Sequence, residues 1–234
     1  MSNDDADRLL TAKLEALAEF AAGAGHEINN PLATIINHAQ ILLRGEQDPA
    51  KIQSLLSIGA QARRIRDMIG DVMLFARPPT PHPASVVLSE VVAEVAAALA
   101  DDFSAAELTL EIDIPQDVTV WADRTQLCVV MSSLLRNSLE ASHPGDTVRV
   151  HASPAASNRI EITVADHGHA LSDAEGEHLF DPFYSGRQAG RGLGFGLSKS
   201  WRIITLHGGT IDVESTRDKT EFRIHWPADN PGDA

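Results

Sequence analysis

The stretch Gly25-His26-Glu27-Ile28-Asn29-Asn30-Pro31-Leu32 lies inside a long apolar-periodic segment and places a titratable side chain just before a proline. Apolar residues recur here in alternating steps of three and four, which is typical of a helix that packs along one seam. His26 lies off that seam and is expected to face outward. Pro31 cannot donate a backbone hydrogen bond, so the helix is expected to loosen one turn after the histidine. The seam is formed by Leu10, Leu14, Leu17, Ala21, Ala24 and Ile28.

The histidine alone leaves two interpretations open. A lone His on a helix is usually a surface or packing residue, whereas an exposed imidazole beside a kink is available for chemistry. The pair His26-Glu27 also begins the H-E-x-x-H pattern of zinc proteases, which needs a second histidine one turn later. Position 30 is Asn30, so the zinc-protease interpretation is excluded.

Two helices are predicted in this first part of the chain. The first spans Asp4–Arg44 with a kink at Pro31, and a turn follows at Gly45–Pro49. Within the turn, Asp48 is predicted to cap the second helix, with proline at the first helical position. The second helix is expected to end near Ala76, and its apolar face consists of Ile52, Leu55, Ala62, Ile65, Ile69 and Val72.

The short connection predicts an antiparallel helical hairpin. A hairpin with a wide apolar face cannot bury that face alone, so a four-helix bundle formed by a homodimer is expected. The run Arg77-Pro78-Pro79-Thr80-Pro81-His82-Pro83 cannot be helical and marks a boundary. The hairpin is therefore assigned to residues 1–77, a linker to 78–83, a second domain to 84–228 and a flexible tail to 229–234.

The second domain mixes helical and strand periodicities. Ser89 is predicted to cap its first helix, and residues 108–114 alternate between apolar and polar side chains like a half-buried strand. Because the strands form one block with helices interspersed, the expected fold class is α+β: the helical hairpin, then an α/β sandwich with one helix-covered face. The predicted helices are 89–105, 125–142 and 196–207, and the strands are 108–114, 118–121, 147–152, 159–165, 210–215 and 221–226.

The composition of the chain argues against several classes of protein, namely nucleic-acid-binding, disulfide-bonded and membrane-spanning proteins. The chain is 43% hydrophobic, enough for a substantial core, and its net charge of −14 argues against a nucleic-acid surface. The single cysteine, Cys128, excludes a disulfide framework and fits a reducing compartment. The sequence shows no apolar run of bilayer length and no signal-peptide pattern at its acidic start, so a soluble, cytoplasmic chain without membrane contact is expected.

Two polar positions in the second domain are candidates for ligand binding. Asn137 lies on a predicted helix between apolar neighbours, where its amide oxygen can coordinate a hard cation or simply make a buried hydrogen bond. Asp166 ends a predicted strand and precedes His167-Gly168. A carboxylate there can accept a hydrogen bond from a purine amino group, although a turn is an equally good interpretation.

Two further motifs follow. Phe180 and Phe183 flank a turn, which normally indicates hydrophobic anchoring of a loop. The run Gly192-Leu193-Gly194-Phe195-Gly196-Leu197 precedes a helix, so its backbone N–H groups can face a phosphate. The glycine-rich stretch between these motifs, Tyr184–Arg191, is typical of a lid.

Taken in this order, the motifs resemble those of the two-component sensor histidine kinases over essentially the whole chain. His26–Leu32 is similar to the phosphoacceptor box of that family, and Asn137 to the magnesium-binding Asn of its N box. Arg136-Asn137 and Leu206-His207-Gly208-Gly209 are most similar to the nitrogen-regulation-type branch. In this family the second domain has the Bergerat ATP-binding fold. The resemblance implies a nucleotide site formed by Asn137, Asp166, Gly168, Phe180, Phe183, Arg187, Gly192, Gly194, Gly196, Leu197 and Thr220.

Three positions depart from the family pattern. Ser133 stands where an earlier Asn is usual, Ala170 replaces a glycine, and Lys219 stands where a glycine often precedes the Thr. The first two are expected to weaken nucleotide affinity or to shift the lid.

The resemblance implies that ATP and Mg²⁺ are used to phosphorylate His26, with Glu27 as base, and that the phosphoryl group passes to an aspartate of a response-regulator receiver domain. Asn30 resembles the residue that positions water for dephosphorylating that partner. Two alternatives stay open: a catalytically weak phosphotransfer or docking dimer, and a Bergerat-fold ATPase that forms no phosphohistidine.

Overall fold

The computed structural model of the protein describes residues 19, 23, 25, 27–168, 170–181, 184, 195–217 and 219–230. The chain divides into two compact units between Pro79 and Thr80, inside the proline-rich run. Within the described ranges, no helix combines the length and the apolar character that a bilayer span requires.

The first unit consists of two helices. Helix α1 is continuous over residues 27–43, without a break at Pro31, and the described residues 19, 23 and 25 before it are also helical; α2 spans Pro49–Ala76. As predicted, Asp48 is the N-cap of α2: its carboxylate accepts a 2.9 Å hydrogen bond from the backbone N–H of Ala50. Pro49, the first residue of α2, does not destabilise the helix, because the first N–H groups of a helix have no intrahelical acceptor.

Close contacts between small residues show that α1 and α2 are antiparallel. A Cβ added at Gly25 would lie 2.7 Å from Sδ of Met73, while one added at Gly59 would lie 3.9 Å from Cβ of Ala39. Contacts therefore move backwards along α2 as they move forwards along α1. The hairpin prediction is confirmed, and the glycine at position 25 allows the close approach.

The hairpin leaves a set of large apolar side chains exposed. Ile35, Ile41, Leu42, Leu56, Ile58 and Ile65 are between 42% and 60% exposed. Its buried apolar residues in the described ranges are smaller on average, and three of them are alanines: Leu32, Ala39, Ala62, Val72, Phe75 and Ala76. Two helices alone therefore do not cover their own apolar surface.

The second unit contains a five-stranded sheet of order β2-β4-β5-β7-β6 and a separate two-stranded sheet, β1-β3. Strand β2 is parallel to β4, and the other pairs are antiparallel. The strands are β1 (Ala84–Val87), β2 (Thr109–Asp113), β3 (Thr119–Ala122), β4 (Thr147–Ala155), β5 (Arg159–Asp166), β6 (Thr210–Ser215) and β7 (Thr220–Pro227). The helices are α3 (Leu88–Ala105), α4 (Arg124–Ala141), α5 (Asp173–His178) and α6 (Phe195–Leu206).

One face of the five-stranded sheet forms the core with the helices. Helix α4 packs between α3 and α6 and lies over β4 and β5. The opposite face carries ion pairs, such as those of Arg223 with Glu161 and Glu214. The predicted sandwich with one helix-covered face is confirmed. The fully buried core residues include Val148, Val150, Ile162, Val164, Ile203, Ile204, Ile224 and Trp226.

The predicted Ser89 cap is wrong. Helix α3 begins at Leu88, with Val87 at the N-cap and no side-chain hydrogen bond there. The preceding residues form β1, which pairs with β3 and was missed from the sequence. The backbone N–H of Leu88 donates to the carbonyl of Val118 at 3.0 Å, so the strand contact replaces a side-chain cap.

The half-buried strand predicted at residues 108–114 is partly correct. Strand β2 forms, and Leu110 is half-buried, but Ile112 is 41% exposed. Because β2 is the edge strand next to β4, only part of its apolar side is covered by helix.

Asp123 links three parts of the second unit. Its carboxylate caps α4 through the N–H of Gln126 (3.1 Å) and also accepts the N–H of His82 (3.0 Å). Its own N–H donates to Nε2 of His207 at 3.0 Å, so Nδ1 of that ring carries the hydrogen and donates to the carbonyl of Ile203. Burial alone would raise the pKa of Asp123, but the backbone donors lower it below its ordinary value.

Candidate functional site

A buried polar row ends the helix-covered face of the sheet. On strands β5, β7 and β6, Asp166 pairs with Thr220, and Thr220 pairs with Ser215. Paired residues of antiparallel strands share one face of the sheet. The neighbouring row on the same face is apolar and consists of Val164, Phe222 and Val213. Asp166 is 1% exposed and Thr220 is 5% exposed. The structure therefore brings together two residues that the sequence predicted for one site.

The Asp166 carboxylate is held by two donors. The hydroxyl of Ser138 on α4 donates to Oδ2 at 2.7 Å, and the backbone N–H of Gly168 donates to Oδ1 at 3.0 Å. Burial raises the pKa of Asp166 above its ordinary value, although the two donors and nearby His167 act against this shift. Each carboxylate oxygen keeps a lone pair for one more donor.

Gly168 is required by a close approach between backbones. A Cβ at this position would lie 2.6 Å from the carbonyl oxygen of Ala141, at the end of α4. Only glycine therefore allows the segment after β5 to pass against the helix while its N–H reaches Asp166.

The Thr220 hydroxyl takes part in a second hydrogen-bonded chain. Its Oγ1 lies 2.8 Å from Oγ of Ser215, and that oxygen accepts the backbone N–H of Leu171 at 2.9 Å. The segment after Gly168 is thus fixed to strand β6 beside Thr220. Ala170, the residue that departs from the family pattern, lies in this tied segment and is half-buried.

Asn137 is half-buried on α4, one residue before Ser138. Its amide oxygen is the kind of hard ligand that Mg²⁺ accepts. Among the described residues, no group of three His, Cys, Asp or Glu side chains could hold a metal ion. Ser133, one turn earlier, is also half-buried.

A short helix that the sequence did not predict, α5, precedes the stretch 184–191 for which a lid was predicted. Helix α5 has a capping box, in which the hydroxyl of Ser172 accepts the N–H of Glu175 and the Glu175 carboxylate accepts the N–H of Ser172. The Ser-x-x-Glu pattern was the signal for it. Phe180 follows α5 in a turn and is half-buried.

Helix α6 begins at the end of the second glycine motif. Phe195 is 2% exposed and anchors its start, and Gly196 and Leu197 lie in the first turn. A Cβ at Gly196 would meet none of the described residues within 4 Å. The predicted residues His26, Phe183, Arg187, Gly192 and Gly194 lie outside the described residues.

In the first unit, the described neighbours of His26 are on α1. Glu27 and Asn30 are exposed, and the carbonyl of Asn30 accepts a 3.1 Å hydrogen bond from the hydroxyl of Thr34.

Two residues that contact the predicted site, Ser138 and Ser215, were not predicted from the sequence. A signal existed for Ser138, because it continues the helical spacing of buried Leu127, Met131 and Leu134 and so is a polar residue on a core face. No signal existed for Ser215, since its role depends on the register of β6 against β7.

Comparisons with known proteins agree with this arrangement. Residues 122–230 match the family described as histidine kinase-, DNA gyrase B- and HSP90-like ATPase. Residues 16–81 match the His Kinase A (phospho-acceptor) domain.

Two curated relatives match nearly the whole chain. The C4-dicarboxylate transport sensor protein DctB of Rhizobium meliloti (strain 1021) is 31% identical over 94% of this chain and 36% of its own length. The sensor protein FixL of Bradyrhizobium diazoefficiens is 33% identical over 93% of this chain and 45% of its own length. The chain therefore spans less than half the length of these relatives.

Solved structures show the same fold. Full-length ShkA, in complex with AMPPNP, aligns with a TM-score of 0.77 at 20% identity, over 89% of this chain and 45% of that one. The histidine kinase ThkA, in complex with the response regulator TrrA, aligns with a TM-score of 0.67 at 22% identity, over 93% of this chain and 64% of that one.

Proposed function

Because the chain belongs to the two-component histidine kinases, we propose that it transfers the γ-phosphoryl group of ATP to His26 and then to an aspartate of a response-regulator receiver domain. The observation that carries the proposal is the buried row of Asp166 and Thr220 within the ATPase-family unit, combined with the His-Glu-x-Asn-Asn-Pro box in the phospho-acceptor region.

Asp166 recognises the base in this proposal. Its carboxylate accepts a hydrogen bond from the adenine amino group through the lone pairs that Ser138 and Gly168 leave free. Thr220 lies beside it and supplies a hydroxyl to the same edge of the base.

The phosphate end of the site lies at the start of α6. Backbone N–H groups near Gly196 and Leu197, helped by Gly192, Gly194 and the Arg187 guanidinium, bind the phosphate oxygens. The sequence motif supports a role for Phe180 and Phe183 as hydrophobic anchors of the predicted lid. Mg²⁺, when bound, neutralises charge on the phosphate chain, and Asn137 is the residue that would hold it through its amide oxygen.

His26 is the nucleophile. One ring nitrogen of the neutral imidazole attacks the γ-phosphorus in line, so an N–P bond forms while the bond to the leaving ADP oxygen breaks. Glu27 accepts the hydrogen of the other ring nitrogen and takes the proton that the imidazole loses. The phosphoryl group then moves from nitrogen to an aspartate oxygen of the receiver domain.

Partners follow from the same reasoning. The exposed isoleucine and leucine side chains of the hairpin support a homodimer in which two hairpins form a four-helix bundle. ThkA was solved with a response regulator, and we extend that kind of partner to this chain. Asn30 is exposed one turn beyond His26 and is proposed to position water for dephosphorylating the receiver.

Finer assignments rest on the sequence. We place the chain in the nitrogen-regulation-type branch because of Arg136-Asn137 and His207-Gly208-Gly209. We place it in the cytoplasm, where ATP and receiver domains are found. We propose that the helical hairpin spans residues 1–77, the linker 78–83, the ATP-binding domain 84–228 and a flexible tail 229–234. We also propose that the chain contacts neither membrane nor nucleic acid.

The test is incubation of the chain with γ-labelled ATP and Mg²⁺, followed by detection of acid-labile, alkali-stable label on the protein. His26→Gln should abolish labelling, and His38→Gln, an exposed histidine on the same helix, should keep it. Label retained by His26→Gln contradicts the assignment. Neither alternative, a catalytically weak docking dimer or an ATPase without phosphohistidine, is favoured, because the chain matches both the phospho-acceptor and the ATPase families.

A further inference from the structure

Ser138 is a buried hydroxyl at the adenine end of the proposed site. It is 0% exposed on α4 and lies one turn after Leu134 and Leu135, which are also fully buried. A hydroxyl in such surroundings is costly unless it makes a hydrogen bond. Its partner is Oδ2 of Asp166, at 2.7 Å.

The backbone of Ser138 is held as firmly as its side chain. Its carbonyl accepts both the backbone N–H of Ser142, at 3.0 Å, and the hydroxyl of Ser142, at 2.8 Å. These two hydrogen bonds fix the backbone from which the Ser138 hydroxyl extends. An ionised carboxylate has no proton to donate, so it can only accept the proton of the Ser138 hydroxyl. The direction of the hydrogen bond is settled: Ser138 donates and Asp166 accepts.

The two donors together fix the plane of the carboxylate. Ser138 engages Oδ2 from the helix side, and Gly168 engages Oδ1 from the backbone at 3.0 Å. A carboxylate held at one oxygen can rotate about its Cβ–Cγ bond, whereas one held at both oxygens cannot. The remaining lone pairs of Asp166 consequently point in fixed directions.

We propose that Ser138 is a positioning residue that orients Asp166 to accept a hydrogen bond from the six-position of the base, and so makes the site select an amino group over a carbonyl oxygen there. The inference rests on the proposed ATP site. An oriented, acceptor-only carboxylate attracts the amino group of adenine and repels the carbonyl oxygen of hypoxanthine. Charge-assisted hydrogen bonds depend strongly on geometry, so an unlocked Asp166 loses most of this preference.

The experiment compares ATP with inosine triphosphate, which carries a carbonyl in place of the amino group. Binding of each nucleotide to the full chain is measured by isothermal titration calorimetry with Mg²⁺ present. Ser138→Ala should lower ATP affinity by about tenfold and leave the weaker affinity for inosine triphosphate within about twofold. Ser138→Thr keeps the donor and should restore the ATP preference.

Thr205→Ala is the matched control. Its hydroxyl donates to a helix carbonyl at 2.8 Å on exposed α6 surface, outside the site, so both affinities should stay unchanged. An equal loss for both nucleotides in Ser138→Ala, or no loss of ATP affinity, would overturn the inference and leave the ATP site intact. If wild type binds neither nucleotide, the proposed function itself fails.

A comparison of two size-matched variants covers the case in which Ser138→Ala does not fold. Ser138→Cys replaces the hydroxyl with a weak thiol donor in the same place. Loss of the ATP preference in Ser138→Cys together with its retention in Ser138→Thr supports the proposal. Equal preference in the two variants contradicts it.

Discussion

Asp166 and Thr220 are directly paired at the ends of neighbouring strands β5 and β7, and both are almost completely buried. A buried carboxylate and a buried hydroxyl side by side are costly unless their hydrogen-bonding capacity is used. Part of that capacity is used by Ser138, Gly168 and Ser215, and the remainder is available to a ligand.

Asp166→Asn should lower ATP affinity by at least about tenfold, because the amide presents N–H groups where the adenine amino group needs an acceptor. Calorimetric titration with ATP and Mg²⁺ measures the change. Asp212→Asn, on the exposed side of β6, is the control and should bind as wild type does. Equal affinity in Asp166→Asn and wild type would remove Asp166 from the base site.

The pH dependence of ATP binding should show the environment of Asp166. Burial raises its pKa, with Asp146 adding to the shift and His167 opposing it. The ionised carboxylate is the stronger acceptor for an amino group, whereas the protonated form carries an O–H that can only donate. ATP affinity should therefore fall on acidification, at a pH above the ordinary pKa of an aspartate. The sign for stability is opposite: the folded state binds this proton more tightly, so ionisation of Asp166 lowers the unfolding free energy as pH rises through its pKa. Titrations between pH 4 and about 8, with Ser138→Ala shifted further upward, check the direction.

Gly168→Ala should destabilise the second unit by about 1–3 kcal/mol, because the new methyl group overlaps the carbonyl of Ala141. Chemical unfolding followed by circular dichroism measures the loss. Gly176→Ala is the control: it lies in α5, none of the described residues lies within 4 Å of an added Cβ, and it should be neutral or slightly stabilising. Similar unfolding curves for the two variants would mean that the close approach at Gly168 does not matter.

Asn30→Ala should retain autophosphorylation of His26 and lose phosphatase activity toward a phosphorylated receiver domain. Its side chain is exposed on α1 and makes no contribution to the hairpin core, so the fold should be kept. The two activities are assayed separately, with Gln40→Ala as an exposed control on the same helix. Loss of autophosphorylation in Asn30→Ala would show that Asn30 serves the kinase step instead.

Asp123→Ala should cost about 1 kcal/mol of stability through loss of the α4 cap, and more if the His82 contact also contributes. The pKa of Asp123 is lowered in the folded state, so its stabilising contribution is present above the ordinary aspartate pKa and is lost as pH falls through the folded value. Thermal melts of wild type and variant should therefore converge in acid. A constant difference at every pH would exclude the ionised carboxylate as the source.

Much of the fold could be predicted because its signals are local. Asp48 and Pro49 begin α2 by chemistry contained in a few residues, and the apolar periodicity of α4 and of β5 gave their limits to within one residue. The failures share a physical cause. Ser89 resembled a cap, but the N–H of Leu88 bonds to Val118, which is distant in sequence.

The individual residues of the site could be predicted from the sequence, but their arrangement in space could not. Asp166, Gly168 and Thr220 were identified from motif resemblance, yet their arrangement in one row depends on the register of β5 against β7. The role of Ser215 could not be predicted for the same reason, since it depends on the register of β6 against β7. A hydroxyl one strand away acquires its role only when the pairing is known.

The order of strands along the chain also determines when the row of Asp166, Thr220 and Ser215 can form during synthesis. Asp166 is synthesised with β5, but its neighbours Thr220 and Ser215 arrive only with the last two strands of the domain. Long-range strand pairing of this kind closes slowly compared with a helical hairpin. During translation the hairpin of α1 and α2 is therefore complete before β6 and β7 have been made, so under the proposed function the nascent chain gains its nucleotide site only when β7 pairs with β5.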